Sequence, residues 1–212
     1  MIDLDPDRQL ALAYVPASRR PAVEALWRLD ATLGAILATG SEPLISQMRL
    51  AWWREALERL DREPPPAEPL LQALAAYVLP TVRGAELAAM EDGWLVLLSD
   101  EALSEAELAD YAGRRGGLLF ELTARLLGGP DFPVRTAGTR WALADLARRS
   151  RRPEEVKSPP VESKTNWPSR LRPLGMLAML ARRDLERIRR RQERQGNPSR
   201  MMRMIWHRIS GY

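Results

Sequence analysis

The chain has no cysteine, and histidine occurs once, at His207. No disulfide framework, thiol nucleophile or thiolate metal site can therefore be built, and a His-based metal site or a Ser–His triad is nearly excluded. β-branched residues are scarce beside leucine and alanine, so strands lack the side chains that favour them and helices recur. No stretch approaches the roughly 18 apolar residues of a membrane span. Residues Met1 to Gln9 are acidic, unlike an Arg-plus-apolar leader. These absences imply an all-α protein with a cytoplasmic address, whose chemistry does not run through Cys or His.

The 212 residues, 45% hydrophobic and 28% charged, suffice for one sizeable core and imply a single domain over 1–212. Apolar periodicity predicts helices over Asp5–Val15, Arg19–Ala38, Pro43–Arg62, Ala67–Val82, Ala85–Leu98, Glu105–Leu127, Val134–Arg151, Arg170–Gln195 and Ser199–Ile209. Several stops are explicit in the chemistry: Pro16, Gly40, the Pro64-Pro65-Pro66 run and Gly128-Gly129-Pro130. Ser104 with Glu107 forms a capping box. The segment Pro153 to Pro168, rich in Pro, Ser and charge, reads as a long loop, either a lid or a connector.

The formal charge of +4 is concentrated toward the carboxyl end, at Arg148 to Arg152 and from Arg182 to Arg208. Arg182 to Arg194 carries enough charge to touch anionic lipid. Asp184, Glu186 and Glu193 dilute it, and no nucleic-acid-binding pattern is present. The reading is a solvated helix face with no nucleic-acid partner.

Arg49-Leu-Ala-Trp-Trp-Arg54 is the least generic part of the chain. At about 100° per residue, Ile45, Met48, Trp52, Trp53, Ala56, Leu57 and Leu60 share an apolar face with Arg49 in its middle, while Arg54, Glu58 and Asp61 lie opposite. An arginine in an apolar face needs a carboxylate, carbonyl oxygens, an aromatic ring or a bound anion, because an unpaired desolvated guanidinium costs several kcal/mol. Arg49 either stacks on Trp52 or Trp53 and caps a neighbouring helix, or holds an anionic, greasy ligand. On the preceding helix, Asp30 edges the stripe of Leu26, Leu29, Leu33, Ile36 and Leu37. Gly34 and Ala38 strip the surface beside it of side chains, leaving room for a backbone or a ligand. Asp30 either serves such a hollow or pairs with an arginine, Arg49 being the candidate.

Tyr14-x-Pro16, Arg20, Ala22 and Ala25-Leu26-Trp27, followed by Arg49 to Arg54, resemble the amino-terminal half of the squalene and phytoene synthase family. Tyr111 to Gly117 is similar to the family's Tyr- and Gly-rich helix. Ala137-Gly-x-x-Trp141-Ala-Leu-x-x-Leu-x-Arg148 is similar to its second signature helix, and Gly196-Asn-Pro-x-Arg200 with Gly211 to its ending. The resemblance implies an isoprenoid-synthase-like fold with a central cavity, in which the helices bearing Leu26 to Ala38 and Trp141 to Arg149 face each other.

Active members of that family hold magnesium on two aspartate-rich motifs, against the diphosphates of two prenyl substrates. Aligned by its flanks, the first motif falls here on Gly34, Ala35 and Ala38. In the second, Arg148 matches, but Arg149 stands at the next acidic position and the nearest following carboxylates are Glu154 and Glu155. Asp3 and Asp7, the one Asp-x-x-x-Asp, read as charges at a helix start.

The resemblance therefore implies a divergent, non-catalytic member with no metal or cofactor. It is most similar to the branch that includes mitochondrial assembly factors for respiratory complex I, where a Trp-rich motif also occurs and the aspartates are also depleted. The expected partners are an isoprenoid or other lipid, or a protein, with peripheral membrane contact. Asp30, Gly34, Ala38, Arg49, Trp52, Trp53, Trp141, Asp145 and Arg148 are the candidate residues of a remnant cavity. Two other readings stand. One is an active prenyltransferase placing magnesium on Asp30, Asp145, Glu154 and Glu155; the other is a helical adaptor whose cavity has filled.

Overall fold

Proline opens the helices of this chain. Six of them carry it within the first two positions, where its missing N–H costs nothing and its fixed φ suits the first turn. The computed structural model describes residues 2–40, 42–99, 102–149, 156, 166–187 and 193–211. The helices are α1 (Pro6–Ala13), α2 (Arg20–Thr39), α3 (Pro43–Arg59), α4 (Pro69–Tyr77), α5 (Gly84–Ala88), α6 (Met90–Leu95), α7 (Glu105–Ala112), α8 (Leu118–Leu126), α9 (Arg135–Arg149), α10 (Arg172–Glu186) and α11 (Pro198–Ser210). A π-helical turn, Gly113–Gly117, joins α7 to α8, and 3-10 turns occupy Val96–Leu98 and Ser169–Leu171. No strand occurs among the described residues.

Side-chain caps supplement the prolines. The Asp5 carboxylate accepts from the backbone N–H groups of Asp7 and Arg8 at 3.1 and 3.0 Å. Asn197 and Glu68 do the same for α11 and α4. The Ser104–Glu107 capping box forms in both directions, as the spacing implied.

The expected helix Ala85–Leu98 is instead two short helices and a 3-10 turn, with Ala89 closing α5. Asp61, expected on the solvent face of α3, lies beyond its end and accepts from Gly84 N and Ala85 N at 2.6 and 3.0 Å. It thereby satisfies two of the otherwise orphaned donors of α5. Of the long loop, only Val156 and the residues from Asn166 onward are described; Glu154 and Glu155 lie outside the described residues.

Buried apolar residues from all eleven helices form one cluster, with Leu26, Leu29, Leu33, Leu50, Leu57, Leu71, Leu74, Phe120, Leu174 and Met176 among its members. At its middle the π-helical turn crosses α9 at backbone contact. A Cβ on Gly116 would lie 2.1 Å from the Gly138 carbonyl oxygen, and a Cβ on Gly138 equally close to that of Gly116. Only a pair of glycines permits this approach, and it brings the turn's side chains against α9.

No helix among the described residues is long and apolar enough to cross a membrane. Because backbone rather than a flexible side chain opposes each new methyl, Gly138→Ala and Gly116→Ala should each lower the unfolding free energy by roughly 1–3 kcal/mol, the usual cost of overpacking. Denaturant unfolding of the full-length chain measures this.

Candidate functional site

The crossing of the π-helical turn and α9 places Arg115 at the centre of the molecule. Its side chain has no solvent exposure, and neither does that of Asp30 on α2. Arg115 Nε donates to Asp30 Oδ1 at 2.9 Å and Nη2 to Asp30 Oδ2 at 3.0 Å. Nη2 also lies 2.8 Å from Asp145 Oδ2 on α9, and Nη1 donates to the Tyr111 hydroxyl at 2.5 Å. The guanidinium carbon sits 4.0 Å from the ring centre of Trp94 and 4.9 Å from that of Trp141. The fork is thus satisfied at its edge by carboxylates and covered by aromatic rings.

A second arginine completes the cluster. Arg8 Nη1 donates to Asp30 Oδ2 at 2.9 Å and its Nε to Asp5 Oδ2 at 2.5 Å, beside the Trp141 ring. Two buried cations and two buried anions therefore offset one another: Arg8 and Arg115 against Asp30 and Asp145.

The ionisation of these groups follows from that arrangement. Burial alone pushes Asp145 upward, but the guanidinium groups of Arg115, Arg149 and Arg8 carry it down from 3.8 to about 2. Asp30 likewise lies below the usual carboxylate range, with burial outweighed by Arg115 and Arg8. Burial raises the Tyr111 phenol to about 12.

A neighbouring network ties the two ends of the described chain. Arg200 Nη2 donates to Asp7 Oδ2 at 2.7 Å, and its Nη1 to Asp184 Oδ1 at 2.6 Å. Arg148 also donates to Asp184, and to the Glu193 carbonyl at 3.1 Å. Between the networks lies a cleft of about 20 Å³ bordered by Asp5, Asp7, Trp141, Asp145, Arg148 and Asp184, room for about one water.

The candidate residues fall into two groups. Asp30, Gly34, Trp141, Asp145 and Arg148 gather at this centre, and α2 and α9 do face each other, each gripping Arg115. Gly34 borders the space between them, but Trp94 takes that space up: a Cβ on Gly34 would lie 2.6 Å from the Trp94 ring. Ala38, near the end of α2, is exposed.

The expected Arg49–Asp30 pair does not form. Arg49 is exposed and has no hydrogen bond or ion pair among the described residues, because α3 packs through Ser46, Leu50, Trp53, Ala56, Leu57 and Leu60. That register turns Ile45, Met48 and Trp52 outward, contrary to the predicted face. Trp53 is buried and Trp52 half exposed, their rings edge-on at 5.3 Å. Arg54, expected in solvent, instead bonds Glu91 and Asp92.

Magnesium does not fit this site. Gly34, Ala35 and Ala38 offer no side-chain donor, the Asp30 and Asp145 oxygens are engaged by guanidinium groups, and the described residues contain no set of three His, Asp or Glu side chains able to hold a metal. A divalent cation would have to displace the fully buried Arg115.

Removing one member of the central cluster leaves its counter-charge buried. Arg115→Met should cost roughly 3–5 kcal/mol, and Arg115→Met with Asp145→Leu should recover much of that by restoring neutrality. Arg49→Met should change stability by no more than about 0.5 kcal/mol. Denaturant unfolding of all three variants checks the ordering. Asp145 is depressed in the folded state, so its contribution is present above the ordinary carboxylate range and disappears as the pH falls from about 4 to about 2. About 2 kcal/mol should be lost across that window. Asp145→Asn should flatten this part of the stability–pH curve.

The profile of the squalene/phytoene synthase family matches residues 3–152. The Gly196–Arg200 likeness lies beyond that match. No match is found among curated proteins or solved structures. The matched span covers well over half of the 212 residues and takes in Asp30, Arg115, Trp141, Asp145 and Arg148. The all-helical architecture is of the isoprenoid-synthase type, and the chain belongs to the squalene/phytoene synthase family.

Proposed function

We propose that this protein is a non-catalytic member of its family that acts as a helical binding protein. The observation that carries the reading is Arg115, held between Asp30 and Asp145 with Trp94 stacked upon it. In an active synthase this region accepts two diphosphates, whose negative charge is offset by magnesium. Here the protein's own guanidinium and carboxylates neutralise one another, leaving no carboxylate set free for metal among the described residues. The cleft beside them, about 20 Å³, compares with the roughly 300 Å³ or more usual for a ligand pocket. This favours the adaptor reading over a lipid enclosed at the centre.

The surface supplies the alternative. Along α3, Leu44, Ile45, Met48 and Trp52 are exposed at spacings that place them on one side of the helix, with Arg49 among them. Beside Trp52 runs a groove of about 170 Å³ lined by Ala56, Leu60, Pro64 and Pro66. The partner that suits this face is a protein segment with apolar side chains and a carboxylate opposite Arg49. Glu42, Glu55 and Glu63 alternate with Arg59 and Arg62 around it, a balance that gives little attraction to a uniformly charged surface. The likeness to the complex I assembly branch, in the Trp-rich hexad and the lost aspartates, supports a partner from a respiratory assembly.

Incubation of the full-length protein with farnesyl or geranylgeranyl diphosphate and magnesium should yield no squalene, phytoene or released diphosphate. Turnover abolished by EDTA would overturn the reading and restore the prenyltransferase alternative. Met48→Ser should leave the unfolding free energy within about 0.5 kcal/mol, as expected of a side chain that serves a partner rather than the fold.

A further inference from the structure

The helix α11 has one face buried in the fold and an apolar face left outside it. Arg200, Met204 and His207 of α11 are buried against the rest of the protein. On the opposite side, Met202, Trp206 and Ile209 are 66%, 67% and 68% exposed, among the most exposed large apolar side chains of the described chain. Their spacing of four and three residues puts them within about 60° of one another around the helix axis. Arg203 and Arg208 flank them, each about 100–120° away, and both are partly exposed. Arg203 is tied to Glu193 at 2.7 Å, and the Arg208 guanidinium lies 5.9 Å from the Tyr14 ring centre.

Charge decides what suits this face. No residue of α11 is acidic. Residues 166–211 hold twelve arginines against three carboxylates, whereas the chain as a whole is only +4. The excess positive charge of the protein is thus gathered in the part of the chain that presents the apolar stripe. The face of α3, by contrast, is ringed by both signs. A tryptophan, a methionine and an isoleucine projecting from a basic helix match the interface of an anionic bilayer: the aromatic ring at headgroup depth, the aliphatic chains just below it, the arginines at the phosphates.

We infer that α11 docks this protein on an anionic membrane surface, lying in the interfacial plane with Met202, Trp206 and Ile209 inserted. The contact is peripheral, since the helix has 13 residues and a span needs about 20. It is also separate from the α3 face, so the protein can hold a membrane and a protein partner through different helices.

The test is co-sedimentation of the full-length protein with vesicles of phosphatidylcholine alone and of phosphatidylcholine mixed with phosphatidylglycerol. Binding should occur to the anionic vesicles, be weak on the neutral ones, and fall as salt is raised from about 0.1 M to about 1 M, where the Debye length shrinks from about 10 to about 3 Å. The triple variant Met202→Ser, Trp206→Ser, Ile209→Ser should lose at least about tenfold in vesicle affinity with its thermal unfolding unchanged. Should the triple variant unfold early, Trp206→Ser alone replaces it in the same assay. The matching substitutions Leu44→Ser, Met48→Ser, Trp52→Ser on α3 should leave binding as it was. Brominated lipid should quench tryptophan emission of the wild type, and most of that quenching should vanish in Trp206→Phe. Absence of binding to anionic vesicles would overturn the inference, leaving an acidic protein as the occupant of the stripe. So would equal, salt-insensitive binding to neutral vesicles, or a loss that follows the α3 substitutions rather than those on α11.

Discussion

A guanidinium carries one charge and five N–H donors, and burying it at Arg115 obliges the surrounding structure to supply acceptors for both. Asp30 takes two of its hydrogen bonds side by side, from Nε and Nη2, Asp145 lies against the same Nη2, and Tyr111 receives the bond from Nη1. Each partner comes from a different stretch of chain, so α2, α7, α9 and the π-helical turn must all be in place before the charge is paired. The ring stack of Trp94 and Trp141 fixes the plane of the fork. The Gly116–Gly138 contact then brings that plane within reach of α9.

The basic residues are suited to this task. All but two of the 32 are arginine, and only arginine presents a planar fork that can grip a carboxylate with two parallel bonds while stacking on an aromatic face. Arg115 attaches α2 and α9 to a common positive centre, through Asp30 on the one and Asp145 on the other.

Much of the architecture was legible from the residue pattern. The stop of α2 at Gly40 and the start of α7 at the Ser104–Glu107 box followed from the residues, because such signals are local chemistry that a short window contains in full. The desolvation logic applied to Asp30 was also right: it is buried and paired with arginine. The partner was misread, since helix periodicity cannot say which of two candidate faces meets the core. On α3 the face through Leu50, Trp53 and Leu57 is buried, and Arg49 is left outside. Arg115 did leave a signal. It lies four residues after Tyr111 and four before Leu119, on a face otherwise made of buried residues, so its direction toward the core was recoverable from spacing. The role of Trp94 was not, because it depends on contact with Gly34, sixty positions away in the chain.

The link between Asp7 and Arg200 spans 193 positions, and both side chains are buried. During synthesis, α1 is made long before its counter-charge on α11 exists. Until Arg200 emerges, Asp7 has no such partner, and seating α1 fully would bury a charge with its principal counter-ion missing. The first helix therefore gains its final place only with the last one, and the protein acquires its full cooperativity late, when the two ends of this long stretch of chain meet.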